Sequence, residues 1–151
     1  MSHPAPTFNH VAMSVPADLL DETGRGDLTR FYKEVFGFDE LPTETVDRKK
    51  LVLSGGKIEQ FIFIVANDDP MTCPRLDHWG MSVETEAQLD DYLAAAKRFQ
   101  ESDPRVDIID KHVDDHRPLS ITSFYVKYLL PMMVEVQYWK FKQPADAGAG
   151  A

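Results

Sequence analysis

A hexapeptide motif that begins with histidine occurs twice in the sequence. His10 opens the segment His-Val-Ala-Met-Ser-Val and His78 opens His-Trp-Gly-Met-Ser-Val, so four of six positions are identical at an offset of 68 residues. The alternation in each segment predicts a strand that turns its apolar residues to one face and its histidine to the other. A lone strand histidine is more often hydrogen-bonded within the protein than bound to a metal. The repeat favours a shared role for this pair.

Each half of the chain also carries a glutamate within an apolar run. Glu59 lies in Ile-Glu-Gln-Phe, and Glu135 lies in Val-Glu-Val. A carboxylate between aliphatic residues in a strand is costly unless it is solvated, paired or bound to a metal. Two modules related by a pseudo-twofold axis would bring two imidazoles and two carboxylates together, a donor set that suits Fe(II), Mn, Co, Ni or Zn. A register shift of one residue would turn Gln60 instead of Glu59 to this face.

Two similar series of secondary-structure elements are predicted to position these side chains. The first has strands at about 8–15, 50–53 and 58–66, with a helix between an N-cap at Asp27 and a stop at Gly37. The second has strands at about 77–83, 106–111, 121–127 and 133–139, with a helix opened by a capping box of Thr85 and Gln88. We therefore predict an α+β fold of two βαβββ modules, about residues 8–66 and 77–140, in one domain. The tail 144–151 is predicted to be disordered.

The composition excludes several classes of partner. The chain has 151 residues, with 25 acidic against 16 basic side chains and a formal net charge of −9. Nucleic acids and anionic membranes attract clustered lysine and arginine, so neither is expected to bind. No apolar run is long enough to span a membrane and the start lacks a signal-peptide pattern, which favours a cytoplasmic protein. A single cysteine, Cys73, excludes an intramolecular disulfide.

The chain resembles the vicinal-oxygen-chelate superfamily, which includes glyoxalase I, methylmalonyl-CoA epimerase, extradiol dioxygenases, and bleomycin and fosfomycin resistance proteins. The resemblance rests on both histidine motifs, on Arg-Phe-Tyr-Lys-Glu-Val-Phe-Gly-Phe at 30–38 and on Val-Glu-Val-Gln-Tyr-Trp at 134–139. It implies that the paired modules form a half-barrel cup around a divalent metal, with ligands on the first and fourth strands of each module. Those ligands would be His10, Glu59, His78 and Glu135. The resemblance also implies a small-molecule substrate and a homodimer.

The second module is similar to the C-terminal signature of extradiol dioxygenases. That signature has a histidine, an apolar residue followed by tyrosine, a proline and a ligand glutamate, which correspond to His116, Phe124, Tyr125, Pro131 and Glu135. The likeness implies an Fe(II) triad of two histidines and one carboxylate. It also implies that the tyrosine and the signature histidine bind substrate oxygens and move protons.

The chain departs from that signature at two places. Tyr-Leu-Leu-Pro at 128–131 replaces the usual polar turn before the ligand glutamate, and the fourth strand of the first module carries Phe61 and Phe63 instead of a catalytic histidine. Both departures weaken the expectation for proton transfer during ring cleavage.

Two other functions stay open beside the dioxygenase. Gly-Lys-Ile-Glu at 56–59 is similar to the strand that supplies a fourth ligand in glyoxalase I and the epimerase, where the chemistry is proton abstraction next to a carbonyl. A metal-free binding or resistance module would use an aromatic pocket of Phe61, Phe63, Trp79, Tyr125 and Trp139. The resemblance favours a metal-dependent enzyme for a substrate with two neighbouring oxygens. A dioxygenase with Fe(II) ranks ahead of a lyase or isomerase with Zn, Ni, Co or Mn.

Overall fold

The computed structural model describes residues 3–142 and divides the chain into two compact units, Met1–Thr72 and Cys73–Ala151. The tail predicted to be disordered lies outside the described residues. Each unit consists of one long helix against one face of a four-stranded mixed sheet, and the sheets are not closed. The predicted βαβββ modules are thereby confirmed, whereas their union in one domain stays a prediction.

The first unit has its elements in the order β1 (His10–Val15), a 3-10 turn (Ala17–Leu20), α1 (Glu22–Phe36), β2 (Asp39–Glu40), β3 (Lys50–Ser54) and β4 (Phe61–Ala66). The strand order is β1-β4-β3-β2, with β1 parallel to β4 and the other pairs antiparallel. Alternate residues of β1 and β4 are buried beneath the helix. The opposite face of the sheet therefore carries His10 and Ala12 of β1 and Phe61 and Phe63 of β4.

The N-cap of helix α1 lies six residues before the predicted N-cap at Asp27. Asp21 is the N-cap, and its side chain accepts a hydrogen bond of 2.8 Å from the backbone N–H of Gly24. Any Cβ at Gly24 would collide with the backbone carbonyl of Leu19, so the glycine permits the close approach of the 3-10 turn. The predicted end is confirmed, because Gly37 has the left-handed backbone conformation (φ 72°) that closes the helix.

The second unit comprises β5 (His78–Val83), α2 (Glu86–Ser102), β6 (Asp107–His116), β7 (Leu119–Lys127) and β8 (Met133–Phe141). The strand order β5-β8-β7-β6, with β5 parallel to β8, repeats that of the first unit. The predicted capping box is confirmed, since Thr85 and Gln88 exchange hydrogen bonds at the start of α2. Strand β6 extends five residues beyond its predicted end at 111 and carries a bulge between Ile109 and His112.

A buried polar network joins the end of α2 to the segment that follows β7. The carboxylate of Asp103, the C-cap residue, accepts hydrogen bonds from the Arg105 guanidinium at 2.6 and 2.9 Å and from the Tyr128 hydroxyl at 2.7 Å. Tyr128 is fully buried, and its ring packs edge-on against Phe99. The network therefore anchors the connection between β7 and β8, two of the strands that carry the candidate site of this unit. Among residues 3–142, no helix is long and apolar enough to cross a membrane.

Candidate functional site

The polar face of the second unit brings together His78 and Glu135. Strands β5 and β8 are neighbours, and their register places Gly80 beside Glu135, with His78 two residues earlier. The Nε2 atom of His78 lies 3.2 Å from Oε2 of Glu135. His78 is exposed, whereas Glu135 is only 7% exposed. Two residues that the sequence marked as metal ligands thus form a contact pair.

The second ring nitrogen of His78 determines what this pair can bind. Nδ1 lies 2.8 Å from the backbone carbonyl oxygen of Leu76, which can only accept, so Nδ1 carries the proton. In a neutral ring Nε2 then has a lone pair that faces the carboxylate of Glu135, and two acceptors face each other. A proton or a metal cation between them satisfies both. A histidine that donates its second nitrogen to a backbone carbonyl is also typical of metal ligands, so the donor pair fits a divalent ion.

Tyr125 completes the contact group in the second unit. It lies directly opposite Glu135 on β7, and its ring packs edge-on against the His78 imidazole at 5.1 Å between centroids. Burial raises the pKa of Tyr125 to about 12, and the hydrogen bond to Glu135 with the charge of that carboxylate adds to the shift. The phenol is therefore protonated at neutral pH and donates its hydrogen bond to the carboxylate.

The histidine beside this tyrosine is His112, which the sequence analysis did not identify. Its ring lies parallel to that of Tyr125 at 5.7 Å, and its Nε2 is 3.2 Å from the hydroxyl of buried Ser123. The predicted partner His116 instead pairs with Leu119 at the exposed end of the β6–β7 hairpin. That position is six residues from Tyr125 along β7, or about 20 Å. Only the β6 bulge, invisible in the sequence pattern, assigns His112 to this position.

In the first unit His10 stands at the start of β1, as predicted. Its Nδ1 donates to the Asn9 side-chain oxygen at 2.6 Å, which leaves the Nε2 lone pair of a neutral ring for a ligand. The imidazole stacks on Phe61 with a centroid distance of 4.7 Å and an angle of 3° between the planes. This stacking fixes the plane of the exposed ring.

The register of the two parallel strand pairs shows which residue of the first unit corresponds to Glu135. The repeat equates His10 with His78, and therefore Ala12 with Gly80; Ala12 pairs with Phe63, whereas Gly80 pairs with Glu135. The equivalent of the carboxylate is thus a phenylalanine.

The prediction that Glu59 lies within a strand is wrong. Strand β4 begins at Phe61, and Glu59 lies in an exposed turn closed by the hydrogen bond from Gly55 N–H to the Gln60 carbonyl. The turn is a local structure that the apolar neighbours of Glu59 concealed. A role for Glu59 as a metal ligand stays a prediction.

The predicted pocket residues lie on the open faces of both sheets. Phe61 and Phe63 are half-buried on the face of the first sheet opposite α1. Trp139 lies four residues after Glu135 on β8, so alternation places both side chains on the same face. The tryptophan is 42% exposed, and its Nε1–H donates a hydrogen bond of 2.9 Å to the Gln137 side chain. Within neither unit do three His, Cys, Asp or Glu side chains of residues 3–142 gather closely enough to hold a metal ion. Of the four predicted ligands, two belong to the first unit (His10 and Glu59) and two to the second (His78 and Glu135).

Comparison with known proteins supports the fold. No family model and no curated protein sequence matches the chain. Among solved structures, lactoylglutathione lyase from Agrobacterium tumefaciens superposes with a TM-score of 0.61 at 14% identity, over 89% of this chain and 95% of that one. A fosfomycin resistance protein from Listeria monocytogenes gives 0.61 at 13% identity, over 95% of both chains.

A third solved structure, a glyoxalase/bleomycin resistance protein/dioxygenase family enzyme from Burkholderia phytofirmans, gives 0.60 at 14% identity, over 85% of this chain and 95% of that one. These likenesses confirm the predicted fold, which the three solved structures share over most of both chains. Identities this low do not transfer an activity.

Proposed function

We propose that the protein is a metal-dependent enzyme acting on a small molecule with two neighbouring oxygen atoms, and that its reaction is extradiol cleavage of a catechol-type ring. The observation that carries the proposal is the contact between Nε2 of His78 and Oε2 of Glu135, with the Nδ1 atom of the same imidazole held by a carbonyl. In a neutral imidazole, Nε2 of His78 and Oε2 of Glu135 are then both acceptors, and a cation bound between them would satisfy both.

The proposed donor set is two imidazoles and one carboxylate. His78 and Glu135 would supply two ligands, and the sequence repeat is the reason for including His10 as the third. Because Phe63 stands where a second carboxylate would be, the set matches the triad of non-haem Fe(II) oxygenases better than a four-ligand site. A bound Fe(II) would supply the dioxygen chemistry and leave coordination positions open for the substrate oxygens.

The chain's own residues would orient the substrate and its protons. Tyr125 lies beside both proposed ligands of this unit, opposite Glu135 on β7 and edge-on to the His78 ring, and its phenol would donate a hydrogen bond there. The His112 ring lies parallel to the tyrosine ring and holds its plane. It replaces His116 as the candidate histidine beside the tyrosine. Phe61, Phe63 and Trp139 remain the proposed aromatic contacts for the substrate, and a homodimer remains part of the proposal.

The test is the metal content of protein purified without oxygen, measured by elemental mass spectrometry. We expect stoichiometric iron in the wild type and its loss in Glu135→Gln and in His10→Ala. Glu59→Gln is the matched control, because it makes the same chemical change in an exposed turn and should keep the iron. Oxygen uptake with catechol should follow the iron content. Iron lost from Glu59→Gln and kept in Glu135→Gln would contradict the proposal and favour lyase or isomerase chemistry with a fourth ligand.

A metal-free binding module is the second candidate, and Phe63 is the observation that favours it. An apolar residue at a ligand position is also what loss of metal binding would leave behind. In that case the wild type would contain no metal and would still bind an aromatic diol. The same elemental measurement therefore separates the two candidates.

A further inference from the structure

Gly80 lies in the middle of β5, where the fold gives no reason for a glycine. Its backbone φ is not positive, unlike those of Gly37 and Gly56, so other residues could adopt its conformation. A Cβ at Gly80 would meet nothing within 4 Å, so no neighbour needs the space either. Glycine weakens a strand interior, because it adds backbone entropy to the unfolded chain and packs no side chain.

A contrasting glycine shows what a packing requirement looks like. At Gly55 a Cβ would lie 2.6 Å from the ring of Phe38, so the side chain is excluded by the fold. The open space at Gly80 has no such explanation. A glycine within a strand can also mark a place where a ligand approaches the backbone closely.

The space beside Gly80 opens onto the candidate site of the second unit. Exposure alternates along β5, with His78, Gly80 and Ser82 exposed on one face. The register places Gly80 directly beside Glu135, and adjacent strands are about 4.8 Å apart. A side chain at Gly80 would therefore stand next to the His78–Glu135 pair.

We propose that Gly80 is a specificity-determining residue, whose missing side chain leaves room for the ring substituent of a catechol-type substrate beside the His78–Glu135 pair. The inference rests on the proposed function and deepens it, because it assigns the size limit of the substrate to one position. A larger residue at Gly80 weakens the binding of ring-substituted catechols more than the binding of catechol itself. It adds no donor atom for the metal, and its Cβ would meet no neighbour within 4 Å.

The test uses Gly80→Val, with Gly80→Ala as the smaller variant and Ser120→Val as the control, a serine of β7 on the opposite face of the sheet from Tyr125. The probes are catechol and 4-tert-butylcatechol, titrated by calorimetry into Fe(II)-loaded protein without oxygen. We expect Gly80→Val to raise the ratio of the two dissociation constants about tenfold, and Gly80→Ala about threefold. Ser120→Val should leave the ratio unchanged, since Ser120 pairs with Asp115 and Lys140 near the β6–β7 turn, five residues along β7 from Tyr125.

Two further readouts do not depend on substrate. The affinity for Fe(II), measured by calorimetry, should be unchanged in all three variants. The melting temperature of metal-free Gly80→Val should stay the same or rise by about 2 °C, because valine favours strands and the space is empty. A clear fall in the melting temperature of both Gly80 variants would overturn the premise that the fold does not need this glycine.

The remaining outcomes separate the two proposals. Wild-type protein that binds both catechols, with the same ratio of dissociation constants in Gly80→Val, would overturn the assignment of Gly80 and leave the proposed function intact. Wild-type protein that binds Fe(II) but neither catechol would overturn both.

Discussion

Replacing Tyr128 with phenylalanine removes one hydroxyl from the network that anchors the connection between β7 and β8. That hydroxyl donates to the Asp103 carboxylate at 2.7 Å and accepts from the Arg105 guanidinium at 2.9 Å. The ring itself is fully buried and would keep its contact with Phe99. The substitution therefore isolates the hydrogen bonds from the packing.

The size of the effect follows from burial. Asp103 is only 6% exposed, so water replaces the lost donor poorly, whereas the half-exposed Arg105 regains its bond from solvent. A hydrogen bond to a charged group contributes about 1.5–3 kcal/mol. We expect the free energy of unfolding to fall by about 2 kcal/mol and the melting temperature by about 4–8 °C for a chain of this length.

The assay is urea unfolding at pH 7, with the curves of all variants fitted to one common m-value. Tyr138→Phe is the matched control, because Tyr138 is a partly exposed tyrosine of β8, and we expect a change below about 0.5 kcal/mol. A loss in Tyr128→Phe no larger than in this control would refute the reasoning.

Three further predictions concern pH, metal and catalysis. The Arg105 guanidinium beside Asp103 holds the pKa of that carboxyl well below its usual range, so its stabilisation is complete above the unfolded pKa of about 3.9 and is lost as pH falls below it. The stability difference between wild type and Asp103→Asn in urea should therefore shrink as pH is lowered from 5 to about 2; a constant difference would contradict this. Removing metal with EDTA should lower the wild-type melting temperature by about 5–10 °C when the metal is about 100-fold above its Kd, and should leave Glu135→Gln unchanged. Tyr125→Phe should lower kcat for catechol cleavage by about 10²-fold or more at unchanged iron content, and an unaffected kcat would exclude the tyrosine from the reaction.

Local patterns in the sequence predict much of this fold. The repeated motif of His10 and His78 places a histidine at the start of the first strand of each unit, and the structure has both there. The capping box at Thr85 and the helix stop at Gly37 involve residues close together in the chain, so their hydrogen bonds and backbone angles follow from local chemistry. The start of α1 was missed, because its two early glycines are poor helix formers. Contact between Gly24 and the 3-10 turn, together with the Asp21 cap, compensates.

The sequence by itself determined the two βαβββ units, the faces of β1 and β5, and the pairing of a histidine with a carboxylate in the second unit. Only the tertiary structure decided that Phe63, and not Glu59, corresponds to Glu135, and that His112, and not His116, lies beside Tyr125. Both decisions depend on register, which hydrogen bonds between strands distant in sequence set. A strand that begins three residues later than its pattern indicates, or a single bulge, changes which residue reaches the site.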